Sequence, residues 1–281
     1  MNTLDLQKKL LAMGFDPGPP DGITGPKTEA AIIDFQTAKG LAADGIVGPK
    51  TLAALDAGTP APAPAPAGDE WTQMLDVSAY QGVIDSVRVK ASGYPAVAIK
   101  ATDGLHFVDP RFRENWKNAK AAGVARLAYH FFHPNLDGAA QADLFLRILD
   151  GDLGEIVAAL DWETDGGVSV AEQTAQADAW YARIDKVYAD AGYKAKPFAY
   201  SYSSFFATLG LPARYAVRPL WLAGYVRESR LVVPSPWKTY DLWQYAGDAL
   251  SPPVDGIDPR LKKDYDKYHG AIGKLLTTYG K

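Results

Sequence analysis

The sequence contains no cysteine. That absence excludes disulfide staples, thiolate nucleophiles and cysteine-ligated zinc. Histidine is scarce too. Of four, only His130 and His133 lie close together, and His-x-x-His at a predicted strand end is poor metal spacing, so neither a metal nor another cofactor is expected. No apolar run approaches the ~20 residues a membrane helix needs, which argues against stable membrane insertion. Nor is there a positive excess. With a net charge of −4, nucleic acid and anionic membrane surfaces lose ground as partners. The N-terminal Met1–Leu10 stretch lacks the basic start and apolar run of a secretory signal; Leu4, Leu10 and Leu11 recur there at helical spacing instead. Synthesis in the cytoplasm without a Sec address is the expectation, with action elsewhere requiring a separate route out.

What is present divides the chain. Its 281 residues are 47% apolar and 22% charged, a globular mix, read here as a monomer. Thr59-Pro60-Ala61-Pro62-Ala63-Pro64-Ala65-Pro66-Ala67-Gly68 interrupts that mix. Proline at every second position fixes φ and removes backbone donors, so the stretch reads as an extended spacer of roughly 3 Å per residue. The expected organisation is a small domain over 1–58, a Pro/Ala-rich linker over 59–70 and a large domain over 71–281.

The small domain repeats itself. Asp21-Gly22-Ile23-Thr24-Gly25-Pro26-Lys27-Thr28-Glu29-Ala30-Ala31-Ile32 returns 23 residues later as Asp44-Gly45-Ile46-Val47-Gly48-Pro49-Lys50-Thr51-Leu52-Ala53-Ala54-Leu55. Each copy reads as an Asp-Gly turn, a buried isoleucine and a Gly-Pro that opens a helix, where the missing proline N–H would have had no partner. With helices over 4–13 and 29–39, the unit is a three-helix domain without an obvious catalytic pair. Its five basic and seven acidic residues, net −2, give it no hold on a polyanion. The doubled Asp-Gly-Ile-x-Gly-Pro-Lys-Thr, with Phe35-Gln36 in the second helix, resembles the peptidoglycan-binding domain of cell-wall hydrolases. The resemblance covers nearly all of 1–58 and implies a wall-binding module that concentrates an attached enzyme on its polymer.

After Trp71, short β-rich runs alternate with helical patterns. Strands are expected over 74–78, 96–101, 127–132, 156–161, 197–201, 220–223 and 241–245, and helices over 112–122, 139–149 and 170–191. Such alternation implies parallel strands with right-handed crossovers. Seven or eight of them suggest an α/β fold closed as an irregular (β/α) barrel, its later strands joined by short links. Chemistry in such a barrel sits at the C-terminal strand ends, and acids collect there: Asp76 in the first strand, Asp161 and Glu163 after the fourth. Strand alternation puts Asp161 and Glu163 on one face and Trp162 on the other. Two carboxylates after Ile156-Val157-Ala158-Ala159-Leu160 are hard to explain as packing. Their mutual repulsion raises one pKa and prepares an acid for proton donation. Cleavage of a glycosidic bond needs that pairing. It also needs platforms for sugar, and Tyr80, Tyr129, Tyr200, Tyr202, Tyr225, Trp243 and Tyr245 fall near predicted strand ends.

The large domain carries a colinear series: Asp76-Val77-Ser78-x-x-Gln81-Gly82, Ile99-Lys100-Ala101-Thr102-Asp103-Gly104, Asp109-Pro110-x-Phe112-x-x-Asn115, Tyr129-His130-Phe131, Leu160-Asp161-Trp162-Glu163-Thr164, Leu220-Trp221-Leu222-Ala223-x-Tyr225 and Leu242-Trp243-Gln244-Tyr245. In that order and spacing it resembles glycoside hydrolase family 25, the Chalaropsis-type lysozymes. The resemblance implies hydrolysis of β-1,4 bonds between N-acetylmuramic acid and N-acetylglucosamine in bacterial peptidoglycan. Glu163 is then the general acid, Asp161 its partner and Asp76 a third acid at the cleft. A fourth aspartate belongs to a C-terminal motif matched at Asp264, with Asp258 and Asp266 as alternatives because the segment is longer than usual. Lys100, Tyr129, Tyr200, Tyr225, Trp243 and Gln244 are the candidate substrate-binding residues. Asp103 stands where the family more often has glutamate.

A chitinase, the enzymatic rival, would show a longer Asp-x-x-Asp-x-Asp-x-Glu run. A wall-binding protein with a dead barrel is the other alternative, and the intact Asp76, Asp161 and Glu163 argue against it. An anchor placed before a catalytic barrel, without cysteine, fits a bacteriophage endolysin that reaches the wall once a holin opens the membrane. A bacterial autolysin would use the same parts.

Overall fold

The computed structural model describes residues 2–13, 15, 17–18, 20, 22–56, 71–247, 254–258, 260–261 and 263–281. The linker expected over 59–70 lies outside them.

In the small part, α1 (Thr3–Ala12), α2 (Pro26–Ala38) and α3 (Pro49–Asp56) gather Leu6, Leu10, Phe15, Ile32, Phe35 and Leu55 into a core of their own. The Phe15 and Phe35 rings meet edge to face at 5.4 Å. The sequence repeat has a shared cause. Gln7 accepts from the Gly22 N–H at 2.8 Å and donates to the Ile23 carbonyl at 3.0 Å and to Thr28 Oγ1 at 3.1 Å. Gln36 repeats the grip on Gly45, Ile46 and Thr51 at 2.9, 2.8 and 3.2 Å. Both glutamines are buried, and each spends its amide on a turn that would otherwise leave backbone groups unpaired. One expectation is corrected here. Ile23 and Ile46 are not buried but 68% and 67% exposed, because a polar Gln–Thr pair, not an aliphatic chain, fills the space beneath each turn.

The large part is a barrel. Its strands are β1 (Trp71–Val77), β2 (Ala96–Asp103), β3 (Phe107–Val108), β4 (Ala125–Phe131), β5 (Ala159–Asp161), β6 (Phe198–Tyr202), β7 (Leu220–Ala223), β8 (Leu242–Ala246) and β9 (Asp264–His269). They form one sheet in the order β1-β9-β8-β7-β6-β5-β4-β2-β3, and β1 also pairs with β2, which closes the circle. Strands β1, β2 and β4 to β8 run parallel; β9 is antiparallel to both β1 and β8. Outside lie α4 (Ser86–Ala91), α5 (Phe112–Ala121), α6 (Gly138–Leu149) and α7 (Val170–Asp190), followed by α8 (Ser203–Leu209) and α9 (Ile272–Tyr279). Between β7 and β8 the described helix is a single 3-10 turn, Glu228–Arg230. The barrel is irregular there, as its short links suggest.

Two strands escape the hydrophobic pattern. β3 is only a short hairpin arm on β2. β9 reads Asp-Tyr-Asp-Lys-Tyr-His, with acids inward and an aromatic and a lysine outward, so it lacks the apolar face by which strands are recognised. The run expected over 156–161 is strand only from Ala159; its first residues are buried all the same. At the start of β4, buried Arg126 binds Asp152 and Glu155, each at 2.8 Å, and lies over the Trp116 ring at 4.3 Å. A guanidinium is tolerated there because both carboxylates and an aromatic face replace its water.

Across the boundary between the parts, Arg230 pairs with Asp34 at 3.1 Å and Arg227 lies over the Phe15 ring at 4.8 Å. Exposed contacts of this kind contribute roughly 0–1 kcal/mol, far less than a core. A chain cut to residues 71–281 is expected to keep the barrel's cooperative thermal transition and its turnover of short soluble glycan fragments. Loss of that transition would show that the two cores depend on each other.

Candidate active site

The parallel strands deliver their C-terminal ends to one face. β1 supplies Asp76, and its direct register partner on the antiparallel β9 is Asp264. Lys100 on β2 and Tyr129 on β4 are also register partners, as are Asp161 on β5 and Tyr200 on β6. Glu163 stands two residues beyond Asp161. Trp162, between them, is buried against Phe132 and Phe206 outside the barrel. Its carbonyl accepts from Ser201 Oγ at 2.6 Å and its N–H donates to the Tyr200 carbonyl at 3.0 Å. These bonds fix the segment past the strand end and return Glu163 to the side of Asp161.

Hydrogen bonds tie the cluster together. Gln244 Nε2 donates to Asp76 Oδ2 at 3.3 Å, and its Oε1 accepts from the hydroxyls of Tyr200 at 2.9 Å and Tyr225 at 2.8 Å. Tyr129 is buried beside Asp76. Burial, followed by the charges of Asp264 and Glu163, pushes the Asp76 carboxyl well above its ordinary range; Tyr129 and Lys100 oppose the shift. Burial pushes Asp161 the same way, reinforced first by Glu163 and then by Asp76. Carboxyls this close oppose one another's ionisation, and Glu163 lies beside Asp161, whose carboxyl is held toward its protonated form. Tyr129 and Tyr200 are likewise raised, by burial and by the surrounding acids, and remain hydroxyl donors.

Most of the residues singled out from sequence meet here: Asp76, Asp161, Glu163, Asp264, Lys100, Tyr129, Tyr200, Tyr225 and Gln244. Trp243 does not. Neighbours on a strand face opposite ways, so with Gln244 inside, Trp243 lies on the outer face. There its ring packs near Trp71 and Tyr245 and under Lys267 Nζ at 4.4 Å. Of the three C-terminal aspartates, Asp258 is held by Arg260 at 2.6 Å, which lowers its pKa to about 2. Asp264 faces Asp76. Asp266 lies one inward step deeper. His130 is a core histidine, bonded to Thr102 at 2.7 Å and Gln141 at 3.1 Å and pushed down to about 4 by burial. Asp103 takes Lys100 Nζ at 2.8 Å and His133 Nε2 at 2.7 Å, and their pull outweighs burial to hold its carboxylate low. Lys100 is thereby braced at the rim, its ammonium 4.7 Å from the Phe131 ring centroid.

The floor of the site is formed by Trp221, which the sequence offers only within a motif, and Asp266, which it leaves as an alternative to Asp264. Trp221 packs against Tyr200 at 4.6 Å and donates its indole N–H to Asp266 Oδ1 at 2.8 Å. Asp266 is fully buried, and among the described residues its Oδ2 has no hydrogen-bond partner. The alternation of Asp264 and Asp266 was the available signal.

The family model for glycosyl hydrolases family 25 matches residues 75–253, and that for a peptidoglycan binding domain matches residues 2–55. Lysozyme M1 of Streptomyces globisporus is 33% identical over 226 residues, covering 75% of this chain and 72% of its own. The N,O-diacetylmuramidase of Chalaropsis is 30% identical over 210 residues, covering 68% and 97%. Among solved structures, the lysozyme from Streptomyces coelicolor superposes with a TM-score of 0.64 at 29% identity, over 74% of this chain and 96% of that one.

The buried acid beneath the site has a measurable consequence. Burial, and next the charge of Asp76, raise Asp266 well above 3.8. Its proton therefore stabilises the fold fully below the unfolded-state pKa, and that contribution is lost as pH rises through the folded value. Asp266→Asn keeps the acceptor for Trp221 and removes the titration. Its melting temperature is expected to match the parent's near pH 4 and to exceed it increasingly toward pH 8; a constant difference across that range would contradict the assignment.

Proposed function

Because the chain belongs to glycoside hydrolase family 25 and carries a peptidoglycan binding domain, it is a lysozyme-type glycoside hydrolase, and we propose that it cleaves the β-1,4 bond following N-acetylmuramic acid with Glu163 as proton donor. The observation that carries this reading is the convergence of Asp161 and Glu163 with Asp76 and Asp264 at the strand ends. Glu163 delivers a proton to the leaving oxygen as the glycosidic bond breaks, and the neighbouring carboxylates support the developing positive charge on the sugar. In this reading Asp161 orients the substrate's N-acetyl group, whose oxygen attacks the anomeric carbon as the leaving oxygen takes the proton; water then opens the resulting ring. Gln244, itself held by the Tyr200 and Tyr225 hydroxyls, holds Asp76, and the half-exposed Tyr225 ring offers sugar an apolar face at the rim.

Glu163→Gln preserves shape but cannot donate a proton, and hydrolysis is expected to fall by ~10²–10⁴ with the fold intact. Asp161→Asn is expected to be severely impaired as well. Proton NMR of the first-formed product from the parent enzyme reads the mechanism: a β-anomer supports N-acetyl participation, an initial α-anomer replaces it with direct attack by water. Full activity in Glu163→Gln would remove the acid assignment.

The order of modules, wall binding first and barrel second, supports a role as a bacteriophage endolysin that acts on the wall from inside the host after holin-dependent release. Expression in a bacterial cytoplasm is then expected to leave cells intact until the membrane is permeabilised, and lysis without permeabilisation would argue for another route to the wall.

A further inference from the structure

The two copies of the repeat share residues for two different reasons. Some are explained by folding. Gly22 and Gly45 take φ of +79° and +72° and donate their N–H groups to Gln7 and Gln36; a side chain there would be strained. Thr28 and Thr51 are buried against the same glutamines. The buried glutamine of each copy takes the isoleucine carbonyl, and any residue supplies a carbonyl. Its side chain is nonetheless aliphatic in both copies and exposed in both, 68% at Ile23 and 67% at Ile46. Four residues later each copy places a lysine, Lys27 and Lys50, exposed in the first turn of its helix. A cation at the positive end of a helix dipole works against the helix. An exposed isoleucine and, four residues on, a lysine at the unfavourable end of a helix recur together in both copies.

We propose that Ile23 with Lys27 and Ile46 with Lys50 form two equivalent contact points for the stem peptides of peptidoglycan. The proposal rests on the reading of the small domain as a wall anchor and states what on the polymer it grips. Stem peptides carry alanine methyl groups beside free carboxylates, and an exposed apolar prong followed four residues later by an exposed ammonium complements that pair. The glycan strand asks for something else: sugars stack on aromatic faces. Residues 1–58 contain no tryptophan or tyrosine, and their two phenylalanines, Phe15 and Phe35, are buried in the core. Two like points on one rigid unit also suit a polymer that repeats the same peptide, since the second contact forms at high effective concentration.

The test uses the full-length chain made inactive by Glu163→Gln, so that the wall is not consumed, and measures binding to purified sacculi by pull-down. Ile23→Ser with Ile46→Ser is expected to weaken binding about tenfold, as is Lys27→Gln with Lys50→Gln. The parent should lose a similar factor on sacculi stripped of stem peptides by an amidase. The thermal transition of each variant shows whether it is folded; if the serine pair is not, the exposed lysine pair decides. Parent-like binding by the folded variants, or undiminished binding of the parent to stripped glycan, overturns the proposal. Failure of the anchor reading itself looks different: residues 71–281 alone would then bind intact sacculi as well as the whole chain does.

Discussion

A carboxylate is expensive inside a barrel, and this barrel holds several at one end. Asp76, Asp161 and Asp266 are buried within reach of one another's charge, with Asp264 and Glu163 beside them. Nothing in local chain preference would assemble such a group; left free, the residues would separate and solvate. What holds them is the closed ring of backbone hydrogen bonds, in which each strand end is fixed by two neighbours. The same crowding shifts the Asp76 and Asp161 carboxyls toward their protonated forms, so the energy spent on bringing the acids together also favours acid catalysis.

Neutral donors make that concentration of acid sustainable. Gln244 passes the hydroxyls of Tyr200 and Tyr225 on to Asp76 through one amide, and the Trp221 indole holds Asp266 from below. Lys100 contributes the cation, but Asp103 and the Phe131 ring keep its ammonium at the rim. A direct ion pair with Asp76 or Asp161 would hold that carboxyl ionised and remove the proton the reaction needs.

The small domain solves an analogous problem with one device used twice. A short turn in a unit with little core needs its backbone groups paired, and a buried glutamine from the preceding helix does so in each copy. That frees the tip of the turn from packing duties, which is where Ile23 and Ile46 emerge into solvent.

Much of this was legible along the chain. The alternation of apolar strand runs with helical stretches specified a parallel α/β barrel. The Ala-Pro run separated it from the repeat, and spacing of one strand pleat placed Asp161 and Glu163 together. These are local signals, set by backbone geometry over a few residues. Other features required the folded ring. β9 carries its acids inward, so its pattern is polar throughout, and only its position between β8 and β1 makes it a barrel strand that sets Asp264 against Asp76. Whether Gln244 or Trp243 enters the site depends on strand register, which an aromatic-rich run such as Leu242-Trp243-Gln244-Tyr245 leaves open because either face could be apolar. The exposure of Ile23 and Ile46 followed from a glutamine 16 and 10 residues earlier in the chain. The sequence alone determined which chemistry the chain could carry. Tertiary structure decided which carboxyls crowd one another and which side chains reach solvent, because both depend on neighbours that only closure of the fold brings together.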